Sequence, residues 1–171
     1  MPNQYFAFKQ FTVYQEHSAM KVGTDGVLLG SWVDIKDAKR VLDIGTGTGL
    51  LALMLAQKSI ANIDAVEIDE HACIDALFNF SSSTWKDRIR LFHADFNTFS
   101  KHQCNTEYQV IVSNPPYFVN SLKSDNKRKM QARHSDVLTH DDLLSGVSLL
   151  LTNDGQFYVI IPFDIENDFV R

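Results

Sequence analysis

The chain has 171 residues, of which 44% are hydrophobic and 22% charged, and its net charge is −5. That length suits one globular domain burying about 70% of its unfolded surface, and the acidic balance excludes a protein that coats nucleic acid wholesale. No apolar run reaches the roughly 18 residues needed to cross a bilayer, and Met1-Pro2-Asn3-Gln4-Tyr5-Phe6 lacks the basic and apolar regions of a secretory signal.

In chain order, Tyr5, Phe6, Phe8, Phe11 and Tyr14 open with an alternation that hints at short strands. Val27 to Val33 reads as a short apolar helix with Thr24 or Asp25 as its N-cap. Gly23 before it leaves backbone amides at a helix start, which serves either as a plain cap or as a seat for a ligand carboxylate. Val41 to Ile44, Gly45-Thr46-Gly47-Thr48-Gly49 and Leu50 to Ala56 read as strand, glycine turn and helix, the first half of a βαβ unit. Ala61 to Ile68 predicts a second strand, Glu70 to Ser83 a helix, and Ile89 to His93 a third strand running into Ala94-Asp95-Phe96.

Tyr108 to Ser113 predicts a fourth, buried strand that stops at Asn114-Pro115-Pro116-Tyr117, because proline cannot continue a ladder. Thr139-His140-Asp141-Asp142 reads as a capping box for a helix through Leu151. Asn153-Asp154-Gly155 then predicts a turn into a fifth strand, Gln156 to Ile161. The alternation implies an α/β three-layer sandwich with a mainly parallel sheet. One domain is expected over 1–171: a 1–33 N-terminal extension, then a 39–171 core whose C-terminal sheet edge is expected to lie beyond Arg171.

The chemistry gathers at the expected strand ends. The spacing Gly45-x-Gly47-x-Gly49 differs from the Gly-x-Gly-x-x-Gly of a pyrophosphate turn. Asp43 stands two residues ahead, where a carboxylate repels a pyrophosphate and attracts an ammonium or sulfonium group. Glu67 stands 20 residues beyond Gly47, placed for the two hydroxyls of a ribose, and Asp95 for an adenine amino group. With Asn114 these groups end four successive strands, and such ends share one crevice. A ligand with a ribose, an adenine, a positive centre and no phosphate is S-adenosylmethionine.

The turn at Asn114-Pro115-Pro116-Tyr117 offers an amide, a carbonyl and a ring, which suit a flat nitrogen-bearing group. Between 121 and 133, Lys123, Lys127, Arg128, Lys129 and Arg133 face a single acid, Asp125, a local balance of +4 that leaves −9 elsewhere. That run is either a phosphate contact or a solvated loop. The six histidines show no ligand spacing, so no metal is expected. Cys73 and Cys104 have neither metal nor Cys-x-x-Cys spacing, and a reducing cytoplasm is the expected setting.

With these residues in view, the sequence resembles the Rossmann-like S-adenosylmethionine-dependent methyltransferases. Val41 to Gly49 looks like their glycine motif, Glu67 like their ribose acid, Asp95 like the acid beside adenine, and Asn114-Pro115-Pro116-Tyr117 like their amino-methylating signature. Phe11-Thr12-Val13 and Met20 to Gly30 resemble one branch, the bacterial valine-tRNA adenine N6-methyltransferases. The resemblance implies cofactor contacts from Lys21, Gly23, Thr24, Asp43, Gly45, Thr46, Gly47, Glu67, Ile68, Asp95, Phe96 and Asn114. It implies catalysis by Asn114, Pro115 and Tyr117. Substrate contacts would come from Tyr117, Phe118, Lys123, Lys127, Arg128, Lys129 and Arg133 of a monomer acting on tRNA. A glutamine amide of a protein and guanine N2 of ribosomal RNA remain open as acceptors, as does a catalytically silent cofactor-binding module.

Overall fold

The structure, a computed structural model, describes residues 3–115, 138–163 and 166. An antiparallel hairpin of β1 (Tyr5–Ala7) and β2 (Thr12–Tyr14) precedes α1 (Thr24–Trp32). The core follows as β3 (Arg40–Ile44), α2 (Leu50–Gln57), β4 (Asn62–Glu67), α3 (Glu70–Ser81), β5 (Ile89–His93), α4 (Phe96–His102), β6 (Tyr108–Ser113), α5 (His140–Leu150) and β7 (Leu151–Val159). The five core strands pair in the order β5-β4-β3-β6-β7, every pairing parallel.

Successive side chains of a strand point to opposite faces, and β3 shows what this does to a parallel sheet. Val41 joins the core built with Leu29 of α1, Leu53 of α2 and Phe80 of α3, while Leu42 and Ile44 join the core with Phe96 and Phe99 of α4 and Leu143 and Val147 of α5. Both faces are therefore covered, giving the three layers that the strand–helix alternation predicts. The chain extends the sheet from β3 through β4 to β5, then returns to place β6 on the other side of β3. The switch point thus lies between β3 and β6, where open α/β sheets bind ligands.

Four local expectations are corrected. The N-cap of α1 is Gly23, with no side-chain cap, so Thr24 and Asp25 lie inside the first turn; an acid there complements the positive helix end. α4 is an additional helix, capped by Asp95, whose carboxylate accepts from Thr98 N–H at 2.8 Å. α5 ends at Leu150, because Leu151 already pairs with Tyr108 as the start of β7. Finally, β7 begins at that point and not after a turn. Gln156 pairs with Val110, so β7 carries an irregularity containing Asn153-Asp154-Gly155.

Two polar clusters outside the crevice hold the fold. Asp64, almost fully buried, binds Arg40 at 2.9 Å, Arg90 at 2.9 Å and the Tyr108 hydroxyl at 2.8 Å, so its charge is paired and hydrogen-bonded. Burial and the adjacent Asp64 push the Tyr108 phenol up. On α3, Asp75 accepts from Ser18 N–H at 2.7 Å and from His17 N–H at 3.0 Å. Burial opposes ionisation of Asp75, but the bonds from His17 and Ser18 outweigh it and hold the carboxyl below its ordinary value.

Candidate functional site

The glycine turn is shaped by its backbone. Gly45, Gly47 and Gly49 have φ of +68°, +55° and +84°, a region that L side chains avoid. The turn is tied to β4 by Gly45 N–H and Thr46 N–H, which both donate to the Val66 carbonyl at 2.9 and 3.1 Å. A Cβ on Gly49 would stand 2.4 Å from the Phe80 ring, so that glycine also serves packing. Among the described residues, a Cβ on Gly45 or Gly47 would meet nothing within 4 Å, which leaves bare backbone facing the crevice.

Asp43 is completely buried beneath the turn. Its Oδ2 accepts from Thr46 Oγ1 at 2.5 Å and from the N–H of Ala52, third residue of α2, at 3.1 Å. The aspartate thus caps α2 from the neighbouring strand. Its Oδ1 is buried and makes no hydrogen bond among the described residues. Burial pushes the Asp43 carboxyl up to about 7, against the Thr46 and Ala52 bonds, with nearby Glu67 adding to the rise.

Glu67 ends β4 and grips the turn. Its Oε2 accepts from Gly47 N–H at 2.8 Å, and its Oε1 from Ile68 and Asp69 N–H, both at 2.9 Å. Ile44 of β3 lies in register with Val66 of β4 and Ser113 of β6, and Glu67 with His93 of β5, so four strand ends are level. Ser113 Oγ donates to the Ile44 carbonyl at 3.0 Å and ties the ends of β3 and β6 together. The half-buried Asn114 and Pro115 follow directly, and Ile68, 48% exposed, edges the same rim.

The sheet thereby brings Asp43, Gly45, Thr46, Gly47, Glu67 and Asn114 to one edge, with Asp95 and Phe96 just past β5. Asp95 is partly occupied by its cap on α4, and Phe96 is buried against α5, its ring 2.4 Å from where a Gly146 Cβ would stand. Gly23 and Thr24 begin α1. Lys21 has a structural engagement: its ammonium donates to the carbonyls of Gln15 and of Ser18, the latter at 2.9 Å. Tyr117, Phe118, Lys123, Lys127, Arg128, Lys129 and Arg133 lie outside the described residues. A groove of about 360 Å³ between the hairpin, α1 and α2 is lined by Phe8, Phe11, Val27, Met54 and Lys58, none of them in the turn. Its Lys58 ammonium donates to the carbonyls of Gly30, at 2.8 Å, and Val33, at 2.5 Å, at the end of α1.

Sequence reasoning missed Asn79. Its Oδ1 accepts from Tyr14 N–H at 2.8 Å, and its Nδ2 donates to the carbonyls of Tyr14 at 2.7 Å and Thr48 at 2.8 Å. It therefore clamps the N-terminal segment to the glycine turn. The available signal was polar Asp75 and Asn79 at i, i+4 on an otherwise apolar helix face.

The open cradle at Gly45 and Gly47, the orphaned Asp43 Oδ1 and the strand-end Glu67 fit a nucleoside carrying a positive centre. A five-stranded parallel sheet in this order, with a glycine turn after its central strand and acids at the neighbouring ends, defines a Rossmann-like methyltransferase. The S-adenosylmethionine-dependent methyltransferase from Agrobacterium tumefaciens superposes with a TM-score of 0.67 over 99% of this chain and 58% of its own, at 16% identity, a likeness of fold. The family described as methyltransferase small domain matches residues 12–161, and the chain belongs to that family. Curated relatives named tRNA1(Val) (adenine(37)-N6)-methyltransferase include one from Bacteroides thetaiotaomicron, 53% identical over 167 residues, covering 96% of this chain and 69% of the relative. Another, from Phocaeicola vulgatus, is 51% identical over 170 residues, covering 99% of this chain and 71% of the relative.

Proposed function

We propose that this methyltransferase uses S-adenosylmethionine to methylate the exocyclic N6 of an adenine in tRNA, the adenine beside the anticodon of valine tRNA. The observation that carries the proposal is the position of Asn114-Pro115, directly after β6 at the sheet edge shared with the glycine turn, Asp43 and Glu67. The names of the curated relatives support tRNA as the substrate, and the basic run from Lys123 to Arg133 supplies charge for phosphates.

The open backbone at Gly45 and Gly47 and the Glu67 carboxylate would hold the nucleoside part of the cofactor, with Asp43 on the side of its positive centre. Asp95, Phe96 and Ile68 would edge the adenine, and Gly23 and Thr24 at the start of α1 would meet the amino-acid end. When bound, the cofactor supplies a methyl group activated by a sulfonium.

The chain's own work is done at the acceptor. Adenine N6 is a poor nucleophile because its lone pair is delocalised into the ring. With the Asn114 Oδ1 and the Pro115 carbonyl each accepting one N6 hydrogen, the nitrogen pyramidalises and its lone pair becomes directional. The same acceptors stabilise positive charge developing on nitrogen, and one proton leaves N6 to water afterwards. Tyr117, with Phe118 beside it, would stack on the base, worth on the order of 1–3 kcal/mol. In a tRNA loop the base need only be splayed out, which costs less than opening a duplex.

The test is mass spectrometry of nucleosides from unmodified valine tRNA incubated with the chain and S-adenosylmethionine. N6-methyladenosine at the position beside the anticodon is the expected product. Methylation of guanine N2, or of a glutamine amide in a peptide offered alongside with no change in the RNA, would overturn the reading.

A further inference from the structure

Thr46 stands between two glycines of positive φ, Gly45 at +68° and Gly47 at +55°, and its side chain folds back onto Asp43, three residues earlier. Both of its donors are used inside the protein. The N–H goes to the Val66 carbonyl at 3.1 Å and the hydroxyl to Asp43 Oδ2 at 2.5 Å. A hydroxyl has one proton to give. Thr46, itself buried, therefore has no donor left for a ligand carboxylate.

Asp43 is completely buried, so what it offers a ligand is charge and not an atom to touch. Among the described residues it has two donors, Thr46 Oγ1 and the Ala52 N–H at 3.1 Å, both on Oδ2. That is few for a buried carboxylate, whose charged form depends on the donors it receives. The surrounding elements add little to offset its charge. Glu67 of β4 opposes ionisation, while α2 from Leu50 to Gln57 and β6 from Gln109 to Ser113 carry no ionisable side chain. The starts of α1 and α3 bring Asp25, Asp69, Glu70 and the exposed His71, and burial keeps the Cys73 thiol of α3 uncharged by pushing it up to about 11. The Thr46 hydroxyl is thus the side-chain donor on which the Asp43 carboxylate relies.

We propose that Thr46 is a positioning residue for Asp43: its hydroxyl fixes the carboxylate beneath the glycine turn and favours its charged form, so that the cofactor's positive centre meets a negative charge. This rests on the proposed function and deepens it, with Thr46 acting through Asp43 and not by a side-chain contact to the cofactor. The two roles differ in their pH dependence. Loss of a direct contact weakens binding equally at every pH. Loss of a donor to Asp43 raises the pH at which the carboxyl ionises and leaves affinity above that pH intact.

The experiment measures the Kd for S-adenosylmethionine by calorimetry at intervals from about pH 6 to about pH 9. Thr46→Val, Thr46→Ser and Asp43→Asn are each read as a ratio to the parent, so that titration of the cofactor itself cancels. Thr46→Val keeps the shape of threonine without the hydroxyl. It is expected to move the midpoint of affinity up by about one to two pH units, which weakens binding about 5-fold or more at pH 7. Near pH 9 its Kd should return to within about twofold of the parent's. Thr46→Ser, which keeps the hydroxyl, is expected to restore the parental midpoint. Should Thr46→Val fail to fold, Thr46→Ala is read in its place against the same expectation. Weakening that is equal at every pH overturns the proposal, as does a parental profile without the hydroxyl. So does a pH-dependent loss when Thr46→Val is added to Asp43→Asn, where no carboxyl remains to titrate. A parent that binds no S-adenosylmethionine defeats the proposed function itself, whereas a binding parent whose profile Thr46→Val leaves unmoved defeats the role of Thr46 alone.

Discussion

Asp43→Asn isolates the cost of keeping a carboxyl under the glycine turn. The Asp43 carboxyl titrates at about 7 in the fold against 3.8 for the ordinary group, because burial disfavours its charge. That rise corresponds to at most about 4 kcal/mol of preference for the protonated form. The direction follows from linkage: a raised folded value means that the native state holds the proton more tightly than the unfolded chain does. The contribution of Asp43 to stability is therefore fully present below about pH 4 and is lost as pH rises through about 7. The asparagine places its carbonyl oxygen where Oδ2 accepts from Thr46 and Ala52, sets its NH2 where Oδ1 has no partner, and does not titrate. Urea denaturation of both proteins at intervals across that window should show Asp43→Asn gaining on the parent as pH rises. A cofactor carrying positive charge favours the ionised carboxylate, so parental affinity should also rise through about pH 7, and that of the variant should not. Parallel stability curves would refute the assignment of a costly buried carboxyl at this position.

Asn114→Ala should bind S-adenosylmethionine with an affinity near the parent's by calorimetry and lose about 100-fold or more in methyl transfer, the scale of removing a preorganised polar contact; near-parental turnover would disqualify Asn114. Asn79→Ala removes three hydrogen bonds, to Tyr14 N–H and to the carbonyls of Tyr14 and Thr48, and should cost about 2–4 kcal/mol in denaturation. It should also open the segment around 15–23 to proteolysis, and an unchanged midpoint with an unchanged cleavage pattern would count against the clamp. Charge reversal at Lys127, Arg128 and Lys129 should raise the Kd for tRNA and flatten its salt dependence. An unaltered slope would return that run to a solvated surface.

The parts legible in the sequence are those whose cause is local. The Gly45-x-Gly47-x-Gly49 spacing, the apolar run from Val41 to Ile44 and the stop at Asn114-Pro115 each state their conformation within a few residues, and β5 occupies the predicted Ile89–His93 span. The parts that were not legible depend on partners distant in sequence. Ile74, Leu77 and Phe78 of α3 are exposed while Asp75 and Asn79 are buried, an inversion of ordinary helix patterning. It makes sense only once the N-terminal segment is seen to supply backbone donors and acceptors 57 to 65 residues away. Asp95 shows the same limit differently: one carboxylate at a strand end serves as helix cap and as candidate ligand group, and its position alone does not separate the roles. The Asn153-Asp154-Gly155 segment has turn chemistry, yet β6 as a pairing partner draws it into an irregular strand.

The carboxylates at the strand ends also hold the site together. Glu67 spends Oε2 on Gly47 and Oε1 on Ile68 and Asp69, so three of about four acceptor sites are taken by backbone. A ribose diol held by both oxygens would take the site left on Oε2 beside the Gly47 contact and would have to share Oε1 with Ile68 and Asp69. Gly47 adjoins Thr48, whose carbonyl is held by Asn79, and Asn79 also holds Tyr14. From Tyr14 the chain runs through the clasp of Gln15, Ser18 and Lys21 to Val22 and into α1, where Gly26 lies against Asn114. Hydrogen bonds and short covalent spans thus run from the ribose acid to α1, whose Gly26 borders the amide proposed to receive the substrate amine. The Asn79 clamp is the point at which to cut that connection: loss of cofactor affinity alone in Asn79→Ala would confine its role to the glycine turn, and a matching fall in kcat at saturating cofactor would extend it to Asn114.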